Sequence, residues 1–564
     1  MTDYDYIVVG GGSAGCALTN RLSANAGNRV LLVEAGRDYL PGKEPAAIRD
    51  TFYTAAYVRE NLWPDTRVDW LTPLAGEPKR DAAFYEQAKV IGGGSSVNAM
   101  VGLRGLAADF EEWTALGVDG WSWPDVQPFY CRLEHDLDFE DENHGRDGPI
   151  ALRRHARSVW PPFVNAVARE LDARGYRYID DVNAGVRDGY GRIPMTSLPT
   201  QRMSAAMGYL TDEVRARKNL SILASTQVRS LAMEANRVTG VSLRRHGRDE
   251  VLTAGEVILS CGSYRTPLLL MHSGLGPPDQ LSDQGIAVRV ALPGVGANLH
   301  DHPTFAAAAH LRLGATQLAS LRSHANAGLF YSSGVEGCPP LDMYMPIANK
   351  ISWHAVGERI GGLFLVVMKP FSRGRVRLTS PDPTVAPTIE VNAFGDERDL
   401  RRAMEAMRLA HDILKQPAIK ALTNYQFGGS FTKRVSDLNV HTRANWAKSA
   451  FACLLLDGPA SLRNLLMRTL VCPDAELAAL VADDQRLQAW LRANITGFFH
   501  PVGTCRMGAA DDDQAVVTSD GRVRGVQGLR IADASVMPTI VRATTNLTAI
   551  MIGEKIAQSI LDTA

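Results

Sequence analysis

Gly10, Gly12 and Gly15 stand at G-x-G-x-x-G spacing directly after an apolar, β-branched run from Tyr6 to Val9. The spacing suits a phosphate group. Gly10 permits a tight turn, Gly12 lets backbone approach a pyrophosphate, and Gly15 lets the following helix pack on the strand. The phosphates would sit at that helix's N-terminus, where unpaired N–H groups and the dipole favour negative charge. Glu34 closes a second apolar run, Val30 to Val33, and is placed to accept hydrogen bonds from an adenosine ribose. A glycine turn alone is common in unliganded proteins. Strand before, helix after and acid at this distance point to dinucleotide binding.

A second glycine-rich turn, Gly92-Gly93-Gly94-Ser95-Ser96-x-Asn98, feeds another apolar segment. A cofactor long enough to be gripped at two places fits two such loops, although a plain tight turn uses the same glycines. His500 precedes a proline, and taken alone it reads as a core or turn histidine, just as Asn546 reads as a helix cap. Histidine is nevertheless the side chain best suited to take a hydroxyl proton near neutral pH. His300-x-His302 with Asp301 offers metal-type donors, but no third and fourth ligands follow at matching spacing, so no metal site is expected. None of the serines in glycine turns carries the G-x-S-x-G elbow of a hydrolase.

The elements that must position these groups follow from composition and pattern. Length alone suggests about three to four domains' worth of chain, or two large interleaved domains. The composition, 45% hydrophobic and 21% charged, is an ordinary globular mixture. A net charge of −1 argues against nucleic acid or another acidic polymer as partner. Seven scattered cysteines without a C-x-x-C pair fit a reducing, cytoplasmic setting. No basic-then-apolar leader precedes the first strand, and no run is long enough to span a membrane.

Residues 36–84 lack sustained periodicity and read as a loop system covering something. Asn219 to Leu259 carries four short β-rich runs, a meander. Thr266-Pro267 is expected to open a helix that stops at Ser273-Gly274. Segments such as Thr304 to Leu313, Asp342 to Ile347, Gly362 to Lys369 and Val376 to Thr379 read as one antiparallel sheet, with Asp396 to Lys415 as a covering helix. Ala450 to Leu470 is apolar but interrupted by Asp457, Pro459 and Arg463, and is assigned to core or a pocket wall rather than a membrane patch. Val523 to Leu529 and Ile531 to Asp533 suggest strands, and Ala549 to Leu561 a C-terminal helix, so the first domain is discontinuous.

Five separated motifs now agree: VVGGGSAG with Glu34-Ala35-Gly36; the Gly92 to Asn98 turn; Gly262-Ser263-x-x-Thr266-Pro267 through Gly276; His500-Pro501-x-Gly503-Thr504-Cys505-x-Met507-Gly508; and Asp533-Ala534-Ser535-Val536-Met537-Pro538 through Asn546. Together they resemble the glucose-methanol-choline family of FAD-dependent oxidoreductases over essentially the whole chain. The resemblance implies an α/β fold: a discontinuous Rossmann-like FAD-binding domain (1–155, 201–301, 493–564) and a substrate domain (156–200, 302–492) whose antiparallel sheet is covered by helices.

It further implies that Gly10, Gly12, Ser13, Ala14, Gly15, Glu34 and Ala35 hold the adenosine and pyrophosphate end of FAD, with Val228 at the adenine. Gly94, Ser95 and Asn98 would approach the pyrophosphate and flavin, and Asp533 and Ala534 the ribityl chain. His500 would be the catalytic base, with Asn546 beside it. Gly102 departs from the aromatic or alanine usual in the family. Family members that tether the flavin do so through a histidine where this chain has Val97, so FAD is expected to be non-covalent.

The VNAMVGLRG loop resembles those of bacterial aryl and furfuryl alcohol oxidases and of choline-type dehydrogenases. The implied reaction is oxidation of a small primary alcohol, with oxygen or a quinone as electron acceptor. Thr496 to Phe499 and Leu363 to Met368 are expected near the pocket, bringing Phe498, Phe499, Val366, Val367 and Met368. Two rivals share the resemblance: a lyase or photodecarboxylase on the same fold, and a noncatalytic flavin-binding protein.

Overall fold

The computed structural model describes residues 2–71, 80–185, 187–245, 247–473 and 475–563. Val30–Val33 is buried along its whole length, as an unbroken apolar run requires of a central parallel strand. Tyr4–Val9 lies parallel beside it, pairing Tyr6 with Val30 and Val9 with Val33. On its other side Tyr4–Val9 pairs with the end of the long strand Arg248–Leu259, and Leu529–Ile531 adds in parallel beyond that. The two ends of the chain therefore meet in one sheet. The C-terminal helix Thr545–Thr563 packs on the first helix, Ser13–Ala24, and the bidentate Arg21–Glu554 pair at 2.8 and 2.7 Å locks them.

The meander consists of Val228–Glu234, Arg237–Arg245 and the first half of Arg248–Leu259. Leu220–Leu223 differs from expectation: it extends the parallel sheet beside Val30–Val33. Ser225, with φ of 52°, turns the chain before the meander begins.

A second sheet runs in the order Thr423–Gly428, Pro303–Leu311, Ile360–Val367, Met343–Ala348, Ala325–Tyr331, Gly189–Arg192, Arg177–Ile179, antiparallel except for its last pair. Thr496–Gly497 pairs with its Pro303–Thr304 end, which brings His500 to this sheet. Helix Glu397–Leu414 covers it through Leu400, Ala403, Met407, Ala410 and Leu414, an apolar stripe at helical spacing.

Four further expectations are corrected. Arg375–Arg377 pairs with Thr388–Glu390 in a separate ribbon, because Pro370 ends the ladder after Val367. The helix expected from Thr266 begins at Gly262, whose N–H donates to the distant Asp533 carboxylate at 2.9 Å, a cap that local sequence does not display. Within Val523 to Asp533 only Leu529–Ile531 is a strand, since Gly525 and Gly528 take positive φ. Phe451, Leu454 and Leu465 face outward from the helices of Ala450 to Leu470. The loop system 36–84 contains short turns of helix at Ala46–Arg49, Thr54–Tyr57 and Arg59–Asn61; its residues 72–79 lie outside the described ones.

Candidate active site

The two glycine turns are one structure. The Gly92 N–H donates to the Gly11 carbonyl at 2.7 Å, and a Cβ on Gly93 would lie 2.7 Å from the Gly12 Cα, so only glycine allows the second turn to rest on the first. Within the first turn a Cβ on Gly15 would lie 1.9 Å from the Gly10 carbonyl oxygen. Glu34 is buried behind this turn, accepting from the N–H groups of Gly11 at 2.8 Å and Gly36 at 2.6 Å. Burial raises its pKa and these bonds counter the rise.

Arg202, absent from the sequence reading, holds the second turn from beneath. Fully buried, it donates to the carbonyl oxygens of Ser95 at 3.2 Å and Asn98 at 2.7 Å, and to the Asn98 Oδ1 at 2.8 Å. Burial pushes its pKa down to about 9. A single arginine with no periodic context gave no signal. Asp533 accepts from Gly262 N at 2.9 Å, Thr266 Oγ1 at 2.6 Å and Ser535 N at 2.8 Å, which ties the strand-end turns around one carboxylate. Burial raises its pKa as well.

Between these groups runs a cavity of about 640 Å³. All the sequence-predicted residues line it except Gly15, which serves helix packing, and Ser95, whose hydroxyl bonds Gly92 O at 2.5 Å and Ala205 N at 2.8 Å. FAD fits this donor set. A Cβ at Gly94 would meet open space, so nothing crowds the backbone where a pyrophosphate would lie. The first helix offers its N-terminus at Ser13, and Val228 lines the wall beyond Glu34 and Ala35.

At the other end His500 is buried, and its Nδ1 lies 2.8 Å from His302 Nδ1. The tautomers follow from the next link. His302 Nε2 lies 3.1 Å from the Val541 carbonyl, which only accepts, so Nε2 carries the His302 proton and its Nδ1 is a lone pair. His500 must then donate from Nδ1. Its Nε2 is left unprotonated, and the side chain borders the cavity. Burial holds His500 neutral, with its pKa down to about 3, and holds His302 well below the usual range, helped by the positive charge of Lys369. Asn546, the second residue of the C-terminal helix, accepts on Oδ1 from Ser13 Oγ at 2.7 Å, which leaves its Nδ2 as a donor.

The backbone that carries His500 is clamped. Asp301 Oδ1 accepts from His500 N at 3.0 Å, and its Oδ2 accepts from Tyr85 Oη at 2.7 Å. Tyr85 Oη in turn accepts from Phe499 N at 2.5 Å. Phe499 stacks on Tyr85 at 4.5 Å and holds φ of 64°, a conformation that side chains adopt at a cost. His300 binds the carbonyl of Asn298 at 2.8 Å. The H-x-H pattern that suggested metal donors instead supplies the partner and the anchor of His500.

Phe364, Thr496, Phe498 and Phe499 line the cavity, whereas Val366, Val367 and Met368 are core residues. Tyr53 and Tyr57, from the aperiodic loop system, line it too, each donating to the Ile351 carbonyl.

A two-turn glycine cradle at the carboxyl ends of parallel strands, opening on a neutral histidine, defines an oxidoreductase of the dinucleotide-binding class. Residues 4–304 match the N-terminal and residues 370–553 the C-terminal model of GMC oxidoreductase, and the chain belongs to that family, whose members are FAD flavoproteins. It is 38% identical over 576 residues, covering all of both chains, to a 5-(hydroxymethyl)furfural oxidase of Methylovorus sp. (strain MP688). It is 32% identical over 592 residues to an oxygen-dependent choline dehydrogenase of Rhizobium etli (strain CIAT 652), covering 99% of this chain and 95% of that one. The structure of pyridoxine 4-oxidase from Mesorbium loti superposes with a TM-score of 0.81 at 25% identity, covering 99% of each chain.

Proposed function

We propose that this enzyme oxidises a neutral, flat or apolar primary alcohol to the aldehyde, with His500 as base and Asn546 as the group that orients the alcohol oxygen. The observation that carries the reading is the His302–His500 bond, which leaves one unprotonated imidazole nitrogen at the cavity that Asn546 also lines. Non-covalently bound FAD supplies the hydride acceptor; Val97, at the tethering position of relatives, has no nucleophile. His500 Nε2 takes the hydroxyl proton as the C–H bond weakens. The Asn546 Nδ2 donates to the oxygen on which charge develops. His302 accepts the Nδ1–H bond throughout, and the positive charge formed on His500 faces a chain of acceptors ending at the Val541 carbonyl.

The similarity to a 5-(hydroxymethyl)furfural oxidase and the aromatic walls Phe364, Phe498 and Phe499 support furfuryl and benzylic substrates. Glu86 also lines the cavity, so a choline-like ammonium belongs among the alcohols tested. The acceptor is oxygen or a quinone, and the chain divides as residues 1–155, 201–301 and 493–564 for cofactor and 156–200 and 302–492 for substrate. The test mixes the holoenzyme anaerobically with furfuryl, benzylic, choline and glucose substrates while flavin absorbance is followed. Bleaching fastest with the first two is expected. A preference for choline or glucose, or no bleaching with any alcohol, overturns the proposal, and flavin that stays with the acid-precipitated protein overturns the non-covalent part.

A further inference from the structure

The segment from Lys433 to Leu470 differs from the rest of the chain in charge and in what it shows to water. It holds six basic residues (Lys433, Arg434, Arg443, Lys448, Arg463 and Arg468) against Asp437 and Asp457, a net +4. The whole chain carries −1, so the remainder carries −1 − 4 = −5. Both acids of the segment are engaged, Asp437 with Lys433 and Asp457 with Arg359, and Arg468 pairs with Glu476. Among the described residues Arg434, Arg443 and Lys448 have no carboxylate partner.

On helix Arg443–Leu456, Trp446, Phe451 and Leu454 are 57%, 64% and 70% exposed, and Leu465 and Leu470 on the following turns are 59% and 44% exposed. The same helix packs inward through Ser449, whose hydroxyl accepts from Val356 N at 2.9 Å, and through Leu456. Phenylalanine and leucine outside with serine inside reverses the usual pattern of a surface helix. Exposed large apolar side chains this dense along a basic segment mark a contact surface rather than scattered exposure.

We propose that this face docks on the surface of an anionic phospholipid bilayer, with Trp446, Phe451, Leu454 and Leu465 in the headgroup region and Arg443 and Lys448 on the lipid phosphates. Interfacial binding of this kind combines buried apolar area with attraction to acidic lipids. No described helix is long and apolar enough to cross a membrane, so the contact lies in the surface plane. A two-fold pairing of two copies through the same face would bring two segments of net charge +4 together, a repulsion that acidic lipid removes. Helix Arg443–Leu456 starts four residues after Asn439, which lines the cavity together with Phe431. The proposal does not depend on which alcohol is oxidised.

The experiment floats the FAD-loaded full chain with phosphatidylcholine vesicles made with and without phosphatidylglycerol. Binding to the acidic vesicles that weakens with salt is expected. Each of Arg443→Glu and Lys448→Glu should lower vesicle affinity roughly five-fold or more, and the combined Phe451→Ser, Leu454→Ser and Leu465→Ser variant should abolish flotation while flavin content and turnover of a water-soluble alcohol stay unchanged. Equal binding to both vesicle types, or no binding to either, overturns the proposal. So does a dimer in sedimentation velocity that the three serine substitutions dissociate, since a second copy then covers the face.

Discussion

Two buried histidines in this molecule have opposite fates. His144 lies with Nδ1 2.8 Å from Glu134 and Nε2 2.7 Å from Asp181, with Asp136 at 3.1 Å, and these carboxylates hold it as an imidazolium with a pKa of about 11. Arg104 and Arg154 complete the network, pairing with Glu134, Asp136, Asp181 and, at 3.5 Å, Asp138. His500 meets only another neutral imidazole, and burial takes its pKa down to about 3. Burial is common to both. The neighbours decide, and the contrast separates a group whose two nitrogens are spent on structure from one whose second nitrogen stays unprotonated at the cavity. Glu134, Asp136 and His144 are close enough together to suggest a metal site, but the Arg104 and Arg154 guanidinium groups already pair with the two carboxylates.

The largest effect tests the free nitrogen. His500→Ala should slow anaerobic flavin reduction by roughly 10²- to 10⁴-fold with unchanged flavin content; a rate within a few-fold of wild type would place the base elsewhere. On the other side of the contrast, His144→Leu leaves buried acids in excess and should destabilise the protein by about 3–5 kcal/mol in denaturant titrations. Its folded pKa is raised, so this contribution is full below the unfolded value of about 6.5 and fades as pH climbs toward about 11. A stability loss of equal size at both ends of that range contradicts the charge assignment.

His302→Leu removes the acceptor that fixes the His500 tautomer, and reduction should slow by about ten- to a hundred-fold with little change in Tm; full activity would show that the tautomer is set by other means. Asn546→Ala, which deletes one hydrogen bond and keeps the base, should cost about ten-fold or less in the same assay. The smallest effect is an absence of slope. Because the His500 pKa is depressed, its base form is already complete at neutrality, so the reduction rate should be flat from about pH 5 to about pH 8. A break near the ordinary histidine value would mean that water reaches the imidazole.

The glycine turns, Glu34 and the strands on either side were legible because their information is local: a tight turn, a close backbone approach and a strand end each demand particular residues within a few positions. The helix at Gly262 began earlier than its sequence suggested because its cap, Asp533, comes from a distant segment. Ala450 to Leu470 is core only in part, with Leu456 and Met467 buried but Phe451, Leu454 and Leu465 exposed, for a different reason. Apolar composition reports a wish for non-aqueous surroundings, not whether the fold supplies them.

By itself the sequence determined the phosphate cradle and the parallel strands that carry it, while His500 and Asn546 stood out only through the resemblance of five motifs taken together. Only the tertiary structure decided what those residues are in chemical terms. His302 and His500 are separated by 198 positions, and Tyr85 reaches Phe499 across 414. No spacing rule links such partners; they meet because Thr496–Gly497 pairs with Pro303–Thr304 at the edge of the second sheet, and that pairing sets which nitrogen of His500 keeps its lone pair.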